Sequence, residues 1–111
     1  QKRNILYVED AIDAILEASN QDQSLGQLYF AAADEEYTIT HFAQTLVDTL
    51  GNGTVQHIPW PQHWVDIDVG DISISNEKIK NTLNWKPKTT LTEGLKQTWA
   101  FYQERHEIYL A

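Results

Sequence analysis

Apolar and polar positions follow two different periods along this chain, and each change of period marks an element. Ile5, Leu6, Tyr7 and Val8 form a continuous β-prone run and predict a short strand. Asp10 follows as a helix cap, with Asp13 in the first turn, where a carboxylate suits the helix dipole. Ala11, Ile12, Ala14, Ile15, Leu16 and Ala18 then recur at helical spacing, and the polar stretch after Ser19-Asn20 sets the expected end of that helix. Gly26 precedes Gln27-Leu28-Tyr29-Phe30-Ala31, which reads as a buried strand. Asp34-Glu35-Glu36 reads as an exposed acidic turn.

The second half is punctuated more sharply. Thr38 or Thr40 caps a helix whose apolar stripe is Phe42, Ala43, Leu46, Val47 and Leu50, and Gly51-Asn52-Gly53 supplies its left-handed stop. Val55-Gln56-His57-Ile58 alternates and predicts a short strand before Pro59-Trp60-Pro61 breaks regular structure. Residues 62–74 read as an Asp-rich loop. Ser75 caps a helix covering Ile79 to Leu83, and Asn84 occupies the left-handed C-cap position. Thr90-Leu91-Thr92-Glu93 matches a capping box, opening a final helix with Leu95, Thr98, Trp99, Phe101 and Tyr102. Trp85 and Trp99 are assigned to the core. The expectation is one compact α/β unit over residues 1–111, with more helix than strand.

Composition narrows the function. The 111 residues are 41% hydrophobic, enough for one globular core. Sixteen acids against eight bases give a net charge of −8, which argues against nucleic acid and anionic membranes as partners. No cysteine is present, so there is no disulfide framework and no thiolate metal site, which fits a cytoplasmic protein. No apolar run approaches the ~18 residues of a membrane-spanning helix. The chain opens at Gln1 and contains no methionine, so a piece of a longer chain is expected.

Four patches, in order, resemble the extended short-chain dehydrogenase/reductases, the NAD-dependent nucleotide-sugar epimerase and dehydratase family. Arg3-Asn4-Ile5-Leu6-Tyr7-Val8-Glu9-Asp10 resembles the segment that enters the family's substrate domain. Gly26-Gln27-Leu28-Tyr29-Phe30-Ala31 resembles its Gly–x–x–Tyr–Asn–Ile strand, and Tyr37-Thr38-Ile39 the segment after it. Leu83-Asn84-Trp85-Lys86-Pro87 with Leu91 to Leu95 resembles the Leu–Gly–Trp–x–Pro link and terminal helix. Phe30, Ala31, Ala32, Asn84 and Ser75 depart from the usual residues. The resemblance implies a small mixed substrate-binding domain lacking the Rossmann half. The sequence holds neither a glycine-rich strand-to-helix turn for a dinucleotide nor a Tyr-x-x-x-Lys pair. No cofactor is therefore assigned to this chain, and NAD or NADP belongs to the parent enzyme, an isomerase or lyase.

The resemblance makes Arg3 a diphosphate ligand, a role for which the guanidinium fork is suited; the alternative is a solvated arginine at a frayed end. The loop from Pro59 to Ser73 matches a substrate-facing loop of the family that often carries a second arginine. Val65 stands near that place, His63 is the nearest possible cation, and Asp66, Asp68 and Asp71 would repel a diphosphate. Trp60 and Trp64 could stack on a base or sugar ring, or plug the loop onto the core. His57, His63 and the three aspartates fit no metal-loop spacing and read as a solvated acidic loop. The expected partners are a nucleotide sugar, the N-terminal Rossmann half of the same protein, and a second copy. The alternative reading is a free-standing, non-catalytic interaction or oligomerisation module.

Overall fold

The computed structural model describes residues 1–109. Its elements are β1 (Lys2–Arg3), α1 (Val8–Asn20), a 3-10 turn (Asp22–Ser24), β2 (Tyr37–Thr38), α2 (Ile39–Leu50), a second 3-10 turn (Gln62–Ile67), α3 (Glu77–Leu83), α4 (Leu91–Glu104) and α5 (His106–Tyr109). The architecture is the expected small, helix-rich mixed unit. Its strands shrink to one antiparallel pair, with Lys2 opposite Thr38 and Arg3 opposite Tyr37.

Three expected strands do not form. Residues 5–7 are irregular and Val8 already opens α1. Leu6 packs instead against the core cluster, and the Tyr7 ring lies over Gly94 of α4. Val55–Ile58 and Gln27–Ala31 are likewise without a ladder. A β-prone run becomes a strand only beside another edge, and no edge reaches either segment among the described residues.

Helix starts also differ from the sequence reading. Tyr7 is the N-cap of α1 and makes no side-chain cap bond. Asp10 therefore lies inside the first turn and caps nothing. Its carboxylate is 3% exposed and accepts the backbone N–H groups of Lys88 at 3.1 Å and Thr89 at 2.9 Å. The link between α3 and α4 has no ladder to satisfy those donors, so a buried carboxylate satisfies them. Asn76, not Ser75, is the N-cap of α3, although Ser75 Oγ accepts the Glu77 N–H at 3.3 Å. Asn76 is buried and turns its side chain away from the helix, donating to the Ala32 carbonyl at 2.8 Å and to Asp34 Oδ1 at 2.7 Å.

Other local signals hold. Thr38 Oγ1 accepts the His41 N–H at 3.0 Å, and Gly51 closes α2 at φ 68°. Asn84 closes α3 at φ 55°. Thr90 and Glu93 complete the capping box of α4. A Cβ on Gly94 would lie 3.1 Å from the Tyr7 ring, so this approach of α4 to residue 7 requires a small residue.

The core joins Ala14 of α1, Ile79 and Leu83 of α3, and Trp85, with Leu6, Ala18 and Tyr29 packed around them. Trp85 is buried as expected, whereas Trp99 is 43% exposed and lies outside the core. α4 offers more apolar side chains than α2 and residue 7 can cover. The Cα radius of gyration is 17.0 Å, against about 13 Å for a compact domain of this length. The chain is an open layer 24 Å thick rather than a ball.

Candidate functional site

The short β1 strand fixes one end of the Pro59–Ser73 loop. Lys2 N–H donates to Asp71 Oδ1 at 2.9 Å, and Ile72 N–H donates to the Lys2 carbonyl at 3.1 Å. The Gln1 side chain donates to Asp68. Arg3 is half-buried beneath the loop, and its Nη1 donates to the Gly70 carbonyl at 2.6 Å and the Lys2 carbonyl at 2.7 Å. Gly70, at φ 64°, adopts a left-handed turn that suits glycine. Arg3 thus stands in structure rather than at a frayed end. A guanidinium carries five N–H donors, and among the described residues only Nη1 is engaged. Nε and Nη2 keep the planar pair of donors that suits a phosphate.

The other end of the loop carries the aromatic residues. Pro61 breaks the chain and the 3-10 turn Gln62–Ile67 follows. Trp60 and Trp64 meet edge to face with ring centroids 6.0 Å apart, and His63 meets Trp64 at 5.9 Å. Each tryptophan is 49% exposed. The rings therefore pack on one another and do not plug the loop onto the core; their open faces can take a flat ring. Arg3 contacts the far end of the same loop at Gly70. The structure places the four candidates in two groups, Arg3 at one end and Trp60, His63 and Trp64 at the other. Among the described residues, no group of three His, Asp or Glu side chains is arranged to hold a metal ion.

Two features escaped the sequence reading. An apolar groove of about 650 Å³ runs between α1 and α4, lined by Tyr7, Val8, Ile12, Phe42, Leu95 and Phe101 among others. It contains none of the four candidates. The sequence signal was an excess of apolar residues on α1 and α4 over what one small core can bury. Burial, then the charges of Glu9 and Asp10, push the pKa of the Tyr7 phenol up. The second feature is a polar knot around the acidic turn. Asp34 accepts from Lys80 Nζ at 2.8 Å and from Asn76, and these two bonds hold its carboxyl below the usual range. Beside it the Tyr37 phenol donates to Glu35, which with burial raises its pKa to about 12, and its ring stacks on His41 at 5.5 Å.

No family model matches the chain. It is similar to dTDP-D-glucose 4,6-dehydratase of Mus musculus and of Homo sapiens, 28% identical over 108 residues in each case. Those alignments take in 94% of this chain and 30% of either enzyme. It is 24% identical over 110 residues to UDP-glucose 4-epimerase of Vibrio cholerae, covering 87% of this chain and 33% of that one. In three dimensions it superposes with a TM-score of 0.78 on dTDP-glucose 4,6-dehydratase of Bacillus anthracis in complex with NAD, at 24% identity over 98% of this chain and 33% of that one. RMD of Pseudomonas aeruginosa complexed with NADPH gives a TM-score of 0.75 at 20% identity, over 94% of this chain and 33% of that one. The chain spans about one third of the length of the curated relatives it matches. It is related to the C-terminal part of the nucleotide-sugar dehydratases and epimerases, the extended short-chain dehydrogenase/reductases. The reading as a free-standing interaction module is not favoured.

Proposed function

We propose that this chain is the nucleotide-sugar-binding portion of an NAD(P)-dependent dehydratase or epimerase. The observation that carries the reading is the alignment of 94% of the chain with 30% of a dTDP-D-glucose 4,6-dehydratase. In this reading the preceding part of the polypeptide holds NAD or NADP and performs the hydride chemistry. The present chain performs no redox step and contributes to substrate binding alone. Arg3 offers Nε and Nη2 to the diphosphate. Trp60 and Trp64 border the base or sugar, and His63 is the cation nearest to them in the loop. Absence of cysteine suits a reducing cytoplasm.

The aspartates shape the expectation of affinity. Asp68 and Asp71 are turned toward β1 and the chain start, where Gln1 and Lys2 engage them. They therefore spend part of their charge on the loop itself, and Arg3 is left as the phosphate donor. Loss of a charge-assisted bond of this kind costs about 1.5–3 kcal/mol, or roughly 10- to 100-fold in affinity.

The test is a titration of the full encoded protein with dTDP-glucose and with UDP-glucose, followed by tryptophan fluorescence and calorimetry. Saturable binding to one of them, weakened tenfold or more by Arg3→Ala, is expected. Absence of binding to both sugars, or binding indifferent to Arg3→Ala and Trp64→Ala together, overturns the assignment.

A further inference from the structure

Arg3 is held in place by carbonyls and not by acids. Its side chain is half-buried beside a loop that carries Asp66, Asp68 and Asp71. Among the described residues, neither these carboxylates nor any other comes within ion-pair distance of the guanidinium. Its acceptors are the neutral carbonyls of Gly70 and Lys2, at 2.6 Å and 2.7 Å. A carbonyl fixes the direction of the fork through a charge-assisted bond and leaves the positive charge for an anion. A carboxylate in the same place would fix the fork and cancel its charge.

The turn before Gly70 decides which kind of acceptor Arg3 meets. Asp68 Oδ1 accepts the Gly70 N–H at 3.2 Å, an Asx turn in which a side chain takes the backbone amide two residues on. The same oxygen accepts from the Gln1 side chain. Asp71 Oδ1 is taken by the Lys2 N–H at 2.9 Å. Both aspartates are thus committed to amide donors of the loop and the chain start. Between them Gly70 adopts φ 64°, and its carbonyl meets Arg3. A Cβ at Gly70 would meet nothing within 4 Å, so glycine serves there for its backbone angle and not for room. Asp68 lies two residues from the carbonyl that Arg3 holds. Released from the turn, its carboxylate is free to compete for the guanidinium.

We propose that Asp68 is a positioning residue for Arg3. By holding the Gly70 turn it presents a carbonyl to the guanidinium in place of a carboxylate, and it leaves Nε and Nη2 open and uncompensated for a diphosphate. This role is the opposite of the repulsion that the sequence alone suggests for Asp68. The identity of the anion rests on the proposed function; the placement of Arg3 does not.

Two measurements on the full encoded protein test it. In NMR spectra of isotope-labelled protein, the held Arg3 guanidinium is expected to give separate, slowly exchanging Nη signals. Asp68→Asn, whose amide oxygen keeps the turn, should retain them, and Asp68→Ala should lose them. In titrations with dTDP-glucose and UDP-glucose, Asp68→Ala is expected to weaken binding about 3- to 10-fold, the worth of one hydrogen bond. Asp68→Asn should bind as tightly as the unaltered protein or more tightly, and Asp68→Ala should add no loss in an Arg3→Ala background. Slow Arg3 signals that persist in Asp68→Ala overturn the positioning role, whether or not a nucleotide sugar binds. Tighter binding in both Asp68 variants also overturns it, because the aspartate then only repels the ligand. So does an equal loss in the Arg3→Ala background, the mark of a general loss of loop structure. Slow signals lost in Asp68→Ala of a protein that ignores both sugars support the placement of Arg3 and remove only the substrate reading.

Discussion

Replacing Asp10 by alanine should destabilise this chain more than any other single acid-to-alanine change. The side chain is 3% exposed, and one oxygen, Oδ2, accepts two backbone N–H groups, from Lys88 and Thr89. Removing it leaves both donors without their partner in a partly buried place. Each such loss costs about 1–3 kcal/mol. Relief of the buried carboxylate's own desolvation offsets part of this, and loss of a first-turn acid adds about 0.3–1 kcal/mol. The net expectation is about 2–4 kcal/mol, a large share of the roughly 5–15 kcal/mol that holds a small domain. Asp10→Asn keeps one acceptor oxygen and loses only the charge assistance, so about half that cost is expected. The control is Asp13→Ala, which removes an exposed ion pair to Lys88 at 3.1 Å and should cost at most about 1 kcal/mol. Urea unfolding followed by far-ultraviolet circular dichroism reads all three variants. An Asp10→Ala midpoint within about 0.5 kcal/mol of the Asp13→Ala control would refute the claim that this carboxylate anchors the link between α3 and α4.

The left-handed Asn84 predicts that Asn84→Ala loses about 1 kcal/mol while Asn84→Gly loses nothing; thermal unfolding separates the two. The Tyr29 hydroxyl is buried with no hydrogen-bond partner among the described residues. Tyr29→Phe should therefore be neutral or stabilise by up to about 1–2 kcal/mol, and a clear loss in urea unfolding would reveal a partner. Asp34 has its folded pKa lowered by Lys80 and Asn76, so its contribution is present above the unfolded value near 4 and is lost as pH falls through the folded value. Asp34→Asn should flatten the acid limb of stability against pH, and an unchanged limb counts against the knot. Tyr37 is an acid whose folded pKa is raised to about 12. Its contribution is full below the unfolded value near 10 and disappears between the two. Ultraviolet titration should show Tyr37 ionising late, and Glu35→Gln should remove that late step by bringing Tyr37 back toward 10.

Local chemistry explains why some of this protein was legible without a structure. Gly51, Asn84 and the Thr90–Glu93 box act within four residues of themselves, so sequence spacing alone determined where α2 and α3 stop and α4 starts, whereas the start of α2 stayed open between Thr38 and Thr40 until the Thr38 cap bond settled it. Residue type assigns both Trp85 and Trp99 to the core, and the structure buries only Trp85. The resemblance to sugar-nucleotide enzymes was likewise carried by ordered short patches. Tertiary structure decided everything that depends on a partner distant in the chain. Asp10 looked like a cap because a carboxylate before a helix normally is one; only the approach of residues 88 and 89, far along the sequence, makes it a buried acceptor. The runs 5–8, 27–31 and 55–58 have strand character, but a strand also needs an edge, and pattern cannot say whether one is present. The same holds for Trp99, apolar by type yet 43% exposed on α4. Arg3 could be named from sequence, but its grip on Gly70 could not, since that bond joins residues 67 apart through a loop with no repeating pattern.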